Sequence, residues 1–175
     1  MRIISGIWGG RRIEAPKGSG IRPTTDRVRE AWMSALQTRL PGATVLDLFA
    51  GTGALGLEAL SRGAAHVVFV ERSTVAIRAL RRNVAILGAD SDVEVVRGDA
   101  VSYSQALEEG SFDIALADPP YGAGLASDLL DRHLEFPFAR ELWVEHRWSE
   151  PVPAFPSLRT RRYGDTALTT SIACE

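Results

Sequence analysis

The chain has 175 residues, of which 45% are hydrophobic and 24% charged, and these values predict one soluble globular domain. No apolar run reaches the roughly 18 residues of a membrane span, and the first residues lack the apolar core of a signal peptide, so we expect a cytoplasmic protein. Cys174 is the single cysteine and the three histidines lie far apart in the sequence, which argues against a disulfide and against a zinc site.

Charge is unevenly distributed along the chain, although the net charge is only −2. Residues 1–39 contain eight basic and three acidic residues, a net charge of +5, which leaves −7 for the remainder. A basic arm on an acidic body favours a polyanionic partner such as a nucleic acid, although a solvated arm would carry the same pattern.

The N-terminal part reads as an extension that precedes a helix. Residues 1–15 predict two short strands around the turn Trp8-Gly9-Gly10, and residues 16–23 predict a linker rich in Pro, Gly and Ser. A helix is then expected to begin at Thr24 or Thr25 and to end at Pro41-Gly42. Its predicted apolar face consists of Val28, Ala31, Trp32, Ala35, Leu36 and Leu40.

From residue 43 onward, short apolar runs alternate with helical segments. The predicted strands are residues 43–49, 66–71, 92–98, 112–118 and 141–146. The predicted helices between them are residues 53–63, 73–88, 102–109 and 124–135. An alternating pattern around Gly164-Asp165 predicts a C-terminal antiparallel hairpin at the edge of the sheet. The alternation predicts an α/β fold with a mostly parallel sheet, in which ligands bind beyond the carboxyl ends of the strands.

A glycine-rich loop follows the first of these strands. The segment from Gly51 through Gly53 to Gly56 matches G-x-G-x-x-G between a strand and a helix. Glu71 stands 20 residues beyond Gly51, at the end of the next strand, where its carboxylate can accept hydrogen bonds from two ribose hydroxyls. The loop therefore predicts a cofactor that carries a ribose, and both nicotinamide dinucleotides and S-adenosylmethionine do.

Two further acids distinguish these cofactors. Asp47, four residues before Gly51, would repel a pyrophosphate but would attract the positively charged amino end of S-adenosylmethionine. Asp99 follows the third strand, where it can accept a hydrogen bond from an adenine amino group while the N–H of Ala100 donates to a ring nitrogen. Capping of the next helix is an equally good explanation of Asp99. Asp47 favours the sulfonium cofactor.

The segment Asp118-Pro119-Pro120-Tyr121 follows the fourth strand at the same edge. An exocyclic amine on a base is a poor nucleophile because its lone pair is delocalised, so an enzyme must hold it in the reactive orientation. Asp118 and a proline carbonyl can each accept one N–H, and the two prolines stiffen the loop. Tyr121 offers a ring for base stacking, worth about 1–3 kcal/mol. The segment predicts methyl transfer to an amino nitrogen, whereas the simpler alternative is a turn with a surface tyrosine.

These motifs resemble a known group of enzymes. The segments "DLFAGTGALGLEALSRGA", "VERS", "GDA" and "DPPY" are similar to those of class I S-adenosylmethionine-dependent methyltransferases that modify amino nitrogens. The segments "MRIISGIWGGRRI", "IRPTTDRVREAWMSAL" and "YGDTALT" resemble the RsmD family, bacterial 16S rRNA (guanine-966 N2) methyltransferases. The resemblance covers nearly the whole chain.

The resemblance implies a Rossmann-like fold with a seven-stranded sheet, an RNA-contacting N-terminal β-hairpin extension over residues 1–23 and a methyltransferase domain over residues 24–175. It implies S-adenosylmethionine as the cofactor and a guanine, flipped out of its stack, held by Asp118, Pro119, Pro120 and Tyr121. The implied cofactor residues are Thr24, Asp47, Phe49, Gly51, Gly53, Glu71, Arg72, Asp99, Ala100 and Asp118. The implied partner is 16S rRNA in a small ribosomal subunit particle that already carries proteins, and we expect a monomer that needs no metal and no membrane.

Two groups of basic residues are candidates for RNA contacts. The first would grip phosphates and consists of Arg2, Arg11, Arg12, Lys17 and Arg22. The second lies in the C-terminal hairpin and consists of Arg159, Arg161 and Arg162. Tyr163 beside them can stack on a base or pack at the edge of the core.

Three other functions are weighed against this one. A nicotinamide-dependent dehydrogenase would explain the glycine loop and Glu71, but not Asp47 or the segment at Asp118, and no catalytic His or Tyr-Lys pair is evident. Another amino methyltransferase could act on adenine in DNA, on another RNA site or on a protein glutamine, although glutamine enzymes more often carry Asn before Pro-Pro-Tyr. A binding module without catalysis would leave the ordered acids unexplained.

Overall fold

The computed structural model describes residues 1–14 and 26–173, and for Asp26 and Arg27 the backbone only. The helices of this part of the chain are α1 (Asp26–Leu36), α2 (Ala54–Ser61), α3 (Thr74–Leu87), α4 (Ala100–Gln105) and α5 (Leu125–Glu135), with a short 3-10 turn at Asp90–Asp92. The strands are β1 (Thr44–Leu48), β2 (His66–Glu71), β3 (Val93–Arg97), β4 (Phe112–Ala117), β5 (Ala139–Arg147), β6 (Leu158–Tyr163) and β7 (Thr166–Ile172).

The strands form one sheet in the order β3-β2-β1-β4-β5-β7-β6. The first five strands in this order pair in parallel, which confirms the predicted α/β architecture. The strand order reverses between β1 and β4, so the loops that follow these two strands flank the topological switch point. Helices cover both faces, with one buried cluster around Trp32 and Phe69 and another around Leu129 and Phe138.

The C-terminal antiparallel hairpin lies at the edge of the sheet, as predicted, but its second strand is the inner one. β7 is inserted between β5 and β6 and pairs antiparallel with both, so only β6 is an edge strand. Residues 167–171 are all buried, so both faces of this interior strand are covered. Three of its buried residues are nevertheless polar, Thr169, Thr170 and Ser171, and Thr169 and Ser171 lie within hydrogen-bond distance of buried His146 and His133.

Two predicted helix boundaries also need correction. The first helix was expected to continue to Pro41, but α1 ends at Leu36, and the backbone N–H groups of Arg39 and Leu40 both donate to the Leu36 carbonyl in a closing turn. The helix predicted at residues 102–109 is α4, which starts earlier because Asp99 caps it. Thr24 and Thr25 lie outside the described residues.

The N-terminal hairpin consists of one bridge, Arg2 to Arg12, rather than two regular strands, and its turn spans residues 5–10. It is fixed to α2 by Glu58, which is fully buried and accepts the N–H groups of Ile4 and Ser5 at 2.7 and 3.0 Å. Ile3 and Ile13 belong to the same hydrophobic cluster as α1 and α2. Residues 1–14 are therefore packed into the domain, and a boundary at residue 23 stays a prediction.

Contact of the hairpin with α2 is close enough to require a glycine. Gly6 has a φ of +84°, and a Cβ built on it would lie 1.8 Å from the carbonyl oxygen of Ser61. The Ser61 hydroxyl donates to the Ser5 carbonyl at 2.5 Å and accepts the Trp8 N–H at 3.0 Å.

Among the helices of residues 26–173, none is long and apolar enough to cross a membrane.

Candidate active site

The pairing register places the candidate residues side by side. Leu48 at the end of β1 pairs with Ala117 at the end of β4 and with Val70 in β2, while Glu71 pairs with Arg97 at the end of β3. The residues that follow these positions therefore emerge in one row at the carboxyl edge. The row begins at the loop after β3 and ends at Asp118, as the sequence predicted.

The glycine loop after β1 combines an open position with two packed ones. Phe49 adopts a left-handed conformation with φ 59°, unusual for a residue with a side chain, and Gly51 follows at φ 56°. A Cβ built on Gly51 would meet a single atom, the Phe49 carbonyl oxygen at 3.9 Å, among the described residues. At Gly53 it would lie 2.2 Å from the Leu80 side chain, and at Gly56 2.3 Å from the ring of Phe69. Gly51 leaves room for a ligand, whereas the other two glycines let α2 pack.

Glu71 braces this loop. One carboxylate oxygen accepts the Gly51 N–H at 2.8 Å and the other accepts the Ser73 N–H at 2.7 Å. The side chain is half-buried. An ionised carboxylate has about four acceptor positions, so both oxygens can also accept from hydroxyl groups. Sequence spacing predicted the acid here but not its hold on the loop.

Asp47 is buried and accepts the Gly56 N–H at 2.9 Å. Burial raises the pKa of Asp47 to about 7; the Gly56 hydrogen bond opposes this shift, and the negative charges of Asp118 and Glu71 add to it. These three acids therefore share one electrostatic environment, and a cation placed near them would relieve their repulsion.

Asp99 caps α4, which is the alternative to ligand binding that its sequence position suggested. Its carboxylate accepts the Ser102 N–H at 2.9 Å and the Ser102 hydroxyl at 3.1 Å. The N–H bond, with help from the hydroxyl and from the nearby Arg72, lowers the pKa of Asp99. Asp99 and Arg72 are exposed and Ala100 is buried. An exposed carboxylate at this position can also meet a ligand, and that role stays a prediction.

The loop after β4 is held by a contact with β5 that the sequence did not predict. Asp118 is partly buried, Pro119 is buried and Pro120 is exposed. The Tyr121 hydroxyl donates to the carboxylate of buried Glu145 in β5 at 2.8 Å and lies 3.3 Å from the Thr166 hydroxyl. Burial raises the pKa of Tyr121 to about 12, and the charge of Glu145 contributes. Tyr121 is thus a fixed ring, not a loose surface tyrosine, and an acid inside the apolar run "LWVEH" was the available signal.

The predicted RNA contacts of the N-terminal segment are spread out. Arg2, Arg11 and Arg12 are exposed, and Arg11 donates to the carbonyl of Ile86 in the last turn of α3. The last turn of α3 leads into β3 and therefore lies at the amino ends of the parallel strands. Tyr121 follows the carboxyl end of β4, so Arg11 lies at the opposite end of the sheet. Lys17, Arg22 and Thr24 lie outside the described residues.

Glu14, the last described residue of this segment, sits beside the glycine loop. The Asn83 side chain joins the two: its oxygen accepts the Glu14 N–H at 2.7 Å, and its amide nitrogen donates to the carbonyls of Glu14 and Thr52 at 2.9 and 3.0 Å. Within residues 1–14 and 26–173, no group of three or more His, Cys, Asp and Glu could hold a metal ion.

Comparison with known proteins supports the fold. The family model described as "Conserved hypothetical protein 95" matches residues 1–171. The chain is 41% identical over 131 residues to ribosomal RNA small subunit methyltransferase D of Escherichia coli (strain K12), covering 75% of this chain and 65% of that protein. Its identity to the protein of the same name from Haemophilus influenzae is 33% over 153 residues, covering 86% and 74%.

A solved structure agrees over almost the whole chain. Methyltransferase yhhF from Escherichia coli superposes with a TM-score of 0.83 at 36% identity, covering 97% of this chain and 96% of that one. Together with the strand order, this similarity shows a Rossmann-like class I methyltransferase fold. The match spans 65% of the length of the Escherichia coli relative, somewhat less than two thirds.

Proposed function

Because the chain belongs to the RsmD family, we propose that it transfers a methyl group from S-adenosylmethionine to the N2 amine of a guanine in 16S rRNA, of the guanine-966 type. The observation that carries this proposal is the pairing of Leu48 with Ala117, which sets Asp118-Pro119-Pro120-Tyr121 directly beside the glycine loop. A site for a methyl donor and a site for an amine are then neighbours across the switch point.

The described residues fit S-adenosylmethionine, which supplies an electrophilic methyl group when bound. Gly51 leaves open space, and both oxygens of Glu71 have acceptor capacity for ribose hydroxyls. The cofactor carries a net positive charge, which suits the shared environment of Asp47, Glu71 and Asp118. Phe49, Gly53, Arg72, Asp99 and Ala100 complete the proposed cofactor site, with Thr24 outside the described residues.

The loop after β4 would orient the amine. The carboxylate of Asp118 and the carbonyl of Pro119 accept its two N–H groups, which directs the nitrogen lone pair towards the methyl donor. Tyr121, anchored by Glu145, stacks on the base. Asp118 then accepts the proton that the methylated nitrogen loses. Because this proton leaves late, positioning supplies most of the rate and no strong base is needed.

The substrate would be RNA whose target base can leave its stack. An amine inside a duplex cannot reach a donor held in a loop at the edge of a sheet, so the base must be flipped or already unpaired. The names of the relatives point to ribosomal RNA of the small subunit. We propose a small-subunit assembly particle as the partner, a monomeric enzyme without a metal, and the cytoplasm as the location.

The deciding experiment supplies S-adenosylmethionine with a labelled methyl group to small-subunit particles, naked 16S rRNA and duplex DNA. The labelled nucleoside is then identified by chromatography and mass spectrometry. We expect N2-methylguanosine from the particles, at a rate higher than from naked RNA. Label in N6-methyladenine, or in DNA alone, would refute the guanine assignment. Preferential binding of NADH over S-adenosylhomocysteine would refute methyl transfer altogether.

A further inference from the structure

We infer that Arg147, Trp148 and Arg162 form a surface, named here the Arg-Trp surface, that binds the RNA nucleotides flanking the target base; this inference rests on the proposed function. Arg147 ends β5, and its guanidinium carbon lies 5.4 Å from the centre of the Tyr121 ring. Arg162, near the end of β6, places its guanidinium carbon 4.9 Å from the centre of the Trp148 ring. The surface therefore begins at the residue proposed to stack on the target base.

Backbone contacts hold the surface in this position. The Trp148 N–H donates to the Asp165 carbonyl at 2.8 Å, and the Arg162 side chain donates to the Gly164 carbonyl at 2.7 Å. Glu150 accepts the Arg147 N–H at 2.9 Å and also the N–H of Gly122, the residue after Tyr121. These hydrogen bonds join the turn of the C-terminal hairpin, the end of β5 and the loop after β4. RNA would therefore bind a preformed surface.

The chemistry of the surface matches single-stranded RNA. Trp148 is 47% exposed, and an exposed indole ring gives an unpaired base a stacking platform. Residues 147–165 contain four arginines against the two acids Glu150 and Asp165, although residues 40–175 as a whole carry a net charge of −7. Guanidinium groups next to an aromatic ring suit alternating phosphates and bases.

Protection of the sheet edge is the other explanation of these arginines, because β6 is the edge strand and charges there discourage pairing with another sheet. It accounts for Arg159, Arg161 and Arg162, which all lie on β6. It does not account for Trp148, since an exposed aromatic ring promotes association, nor for Arg147, which lies two strands from the edge. Binding of RNA accounts for all three residues of the Arg-Trp surface.

The test measures equilibrium binding of 16S rRNA and of small-subunit particles to the full chain, in the presence of S-adenosylhomocysteine and without turnover. Trp148→Ala should weaken binding to both about tenfold. Arg162→Ala should reduce the slope of log affinity against log salt concentration by about 0.7. The matched control is Arg140→Ala, an exposed arginine near the start of the same strand as Arg147 and about 23 Å away, which should leave binding unchanged.

Intrinsic fluorescence gives a second readout. Stacking on Trp148 should quench part of the tryptophan emission when RNA is added, and Trp148→Phe should remove that part. Unchanged affinity for S-adenosylhomocysteine verifies that each variant is folded.

The inference is overturned if both variants bind naked 16S rRNA within twofold of the unsubstituted protein. Weaker binding confined to particles would also overturn it, because the surface would then contact a ribosomal protein. The proposed function is refuted by a different result, namely that the unsubstituted protein labels no guanine in RNA. Binding of RNA can still be measured in that case, because the binding experiment does not depend on methyl transfer.

Discussion

The carboxyl edge of the sheet has two halves of opposite character. Along β3, β2, β1 and β4 it carries the acids Asp99, Glu71, Asp47 and Asp118, of which the last three share one electrostatic environment. Along β5, β7 and β6 it carries Arg147, Trp148 and Arg162. Tyr121 lies at the boundary, with its hydroxyl on Glu145 and its ring beside Arg147.

This division matches the two proposed ligands, because the cofactor is a cation and RNA is a polyanion. Charge counting along the chain placed the basic region at residues 1–39. In the fold, Glu58 holds the first residues against α2 and Arg11 reaches the far end of α3, while the arginines beside Tyr121 come from the C-terminal hairpin. Substitutions in each half should therefore affect one ligand and spare the other.

The largest expected effect is at the boundary. Asp118→Ala removes the acceptor that we propose orients the amine, so methyl transfer to small-subunit particles should fall by about a thousandfold or more. Affinity for S-adenosylhomocysteine, measured calorimetrically, should change by less than about threefold, because the proposed cofactor site is formed mainly by the loops after β1 and β2. Asp128→Ala, an exposed acid on α5, is the control and should retain full activity. A near-normal rate for Asp118→Ala would make Asp118 a structural residue.

The protein should also become less stable as pH rises, because of Asp47 in the acidic half of the edge. With its pKa raised to about 7, Asp47 holds a proton more tightly in the folded than in the unfolded chain, where its pKa is about 3.8. The stability that Asp47 contributes is fully present below pH 3.8, its pKa in the unfolded chain, and is lost as pH rises through about 7, its pKa in the folded protein. From about pH 5 to about pH 8, the unfolding free energy should fall by up to about 3 kcal/mol more than in Asp47→Asn.

Urea denaturation at both pH values measures this difference. Asparagine keeps an oxygen for the Gly56 N–H, so Asp47→Asn removes the charge without the hydrogen bond. Asp128→Asn is the matched control and should follow the unsubstituted protein. Equal pH dependence of the unsubstituted protein and Asp47→Asn would show that Asp47 stays ionised when buried.

Glu71→Gln should weaken cofactor binding by about 10- to 100-fold, a smaller effect. Glutamine has one acceptor oxygen, so it cannot accept both the Gly51 and the Ser73 N–H and also serve a ribose. Affinity for 16S rRNA should not change, because RNA would bind the other half of the edge. Glu94→Gln, an exposed acid on β3, serves as the control. Loss of RNA affinity in Glu71→Gln would contradict the division into two halves.

Sequence patterns predicted the row of acids because strand ends are local features. β2 has the bounds predicted for it, 66–71, and parallel strands bring their carboxyl ends to one edge whatever the intervening helices do. Contacts between distant segments had no such signal. Tyr121 and Glu145 are 24 residues apart, and Glu145 lies in a strand that reads as core. The insertion of β7 beside β5, which brings Thr166 and the hairpin turn to the site, depends on tertiary packing.

The smallest expected effect comes from removing the hydrogen bond between Tyr121 and Glu145. Tyr121→Phe keeps the ring proposed to stack on the base but removes its hydrogen bond to Glu145, which is worth about 1.5–3 kcal/mol for a charged acceptor. Because much of that loss affects folding, methyl transfer should fall only about 3- to 10-fold, and Tyr121→Ala should fall much further. Tyr163→Phe, a half-buried tyrosine at the end of β6, is the matched control and should leave the rate unchanged. A rate for Tyr121→Phe equal to that of Tyr121→Ala would mean that the hydroxyl, not the ring, is what the reaction needs. The contact with Glu145 would then be part of the chemistry rather than a support for the stacking ring.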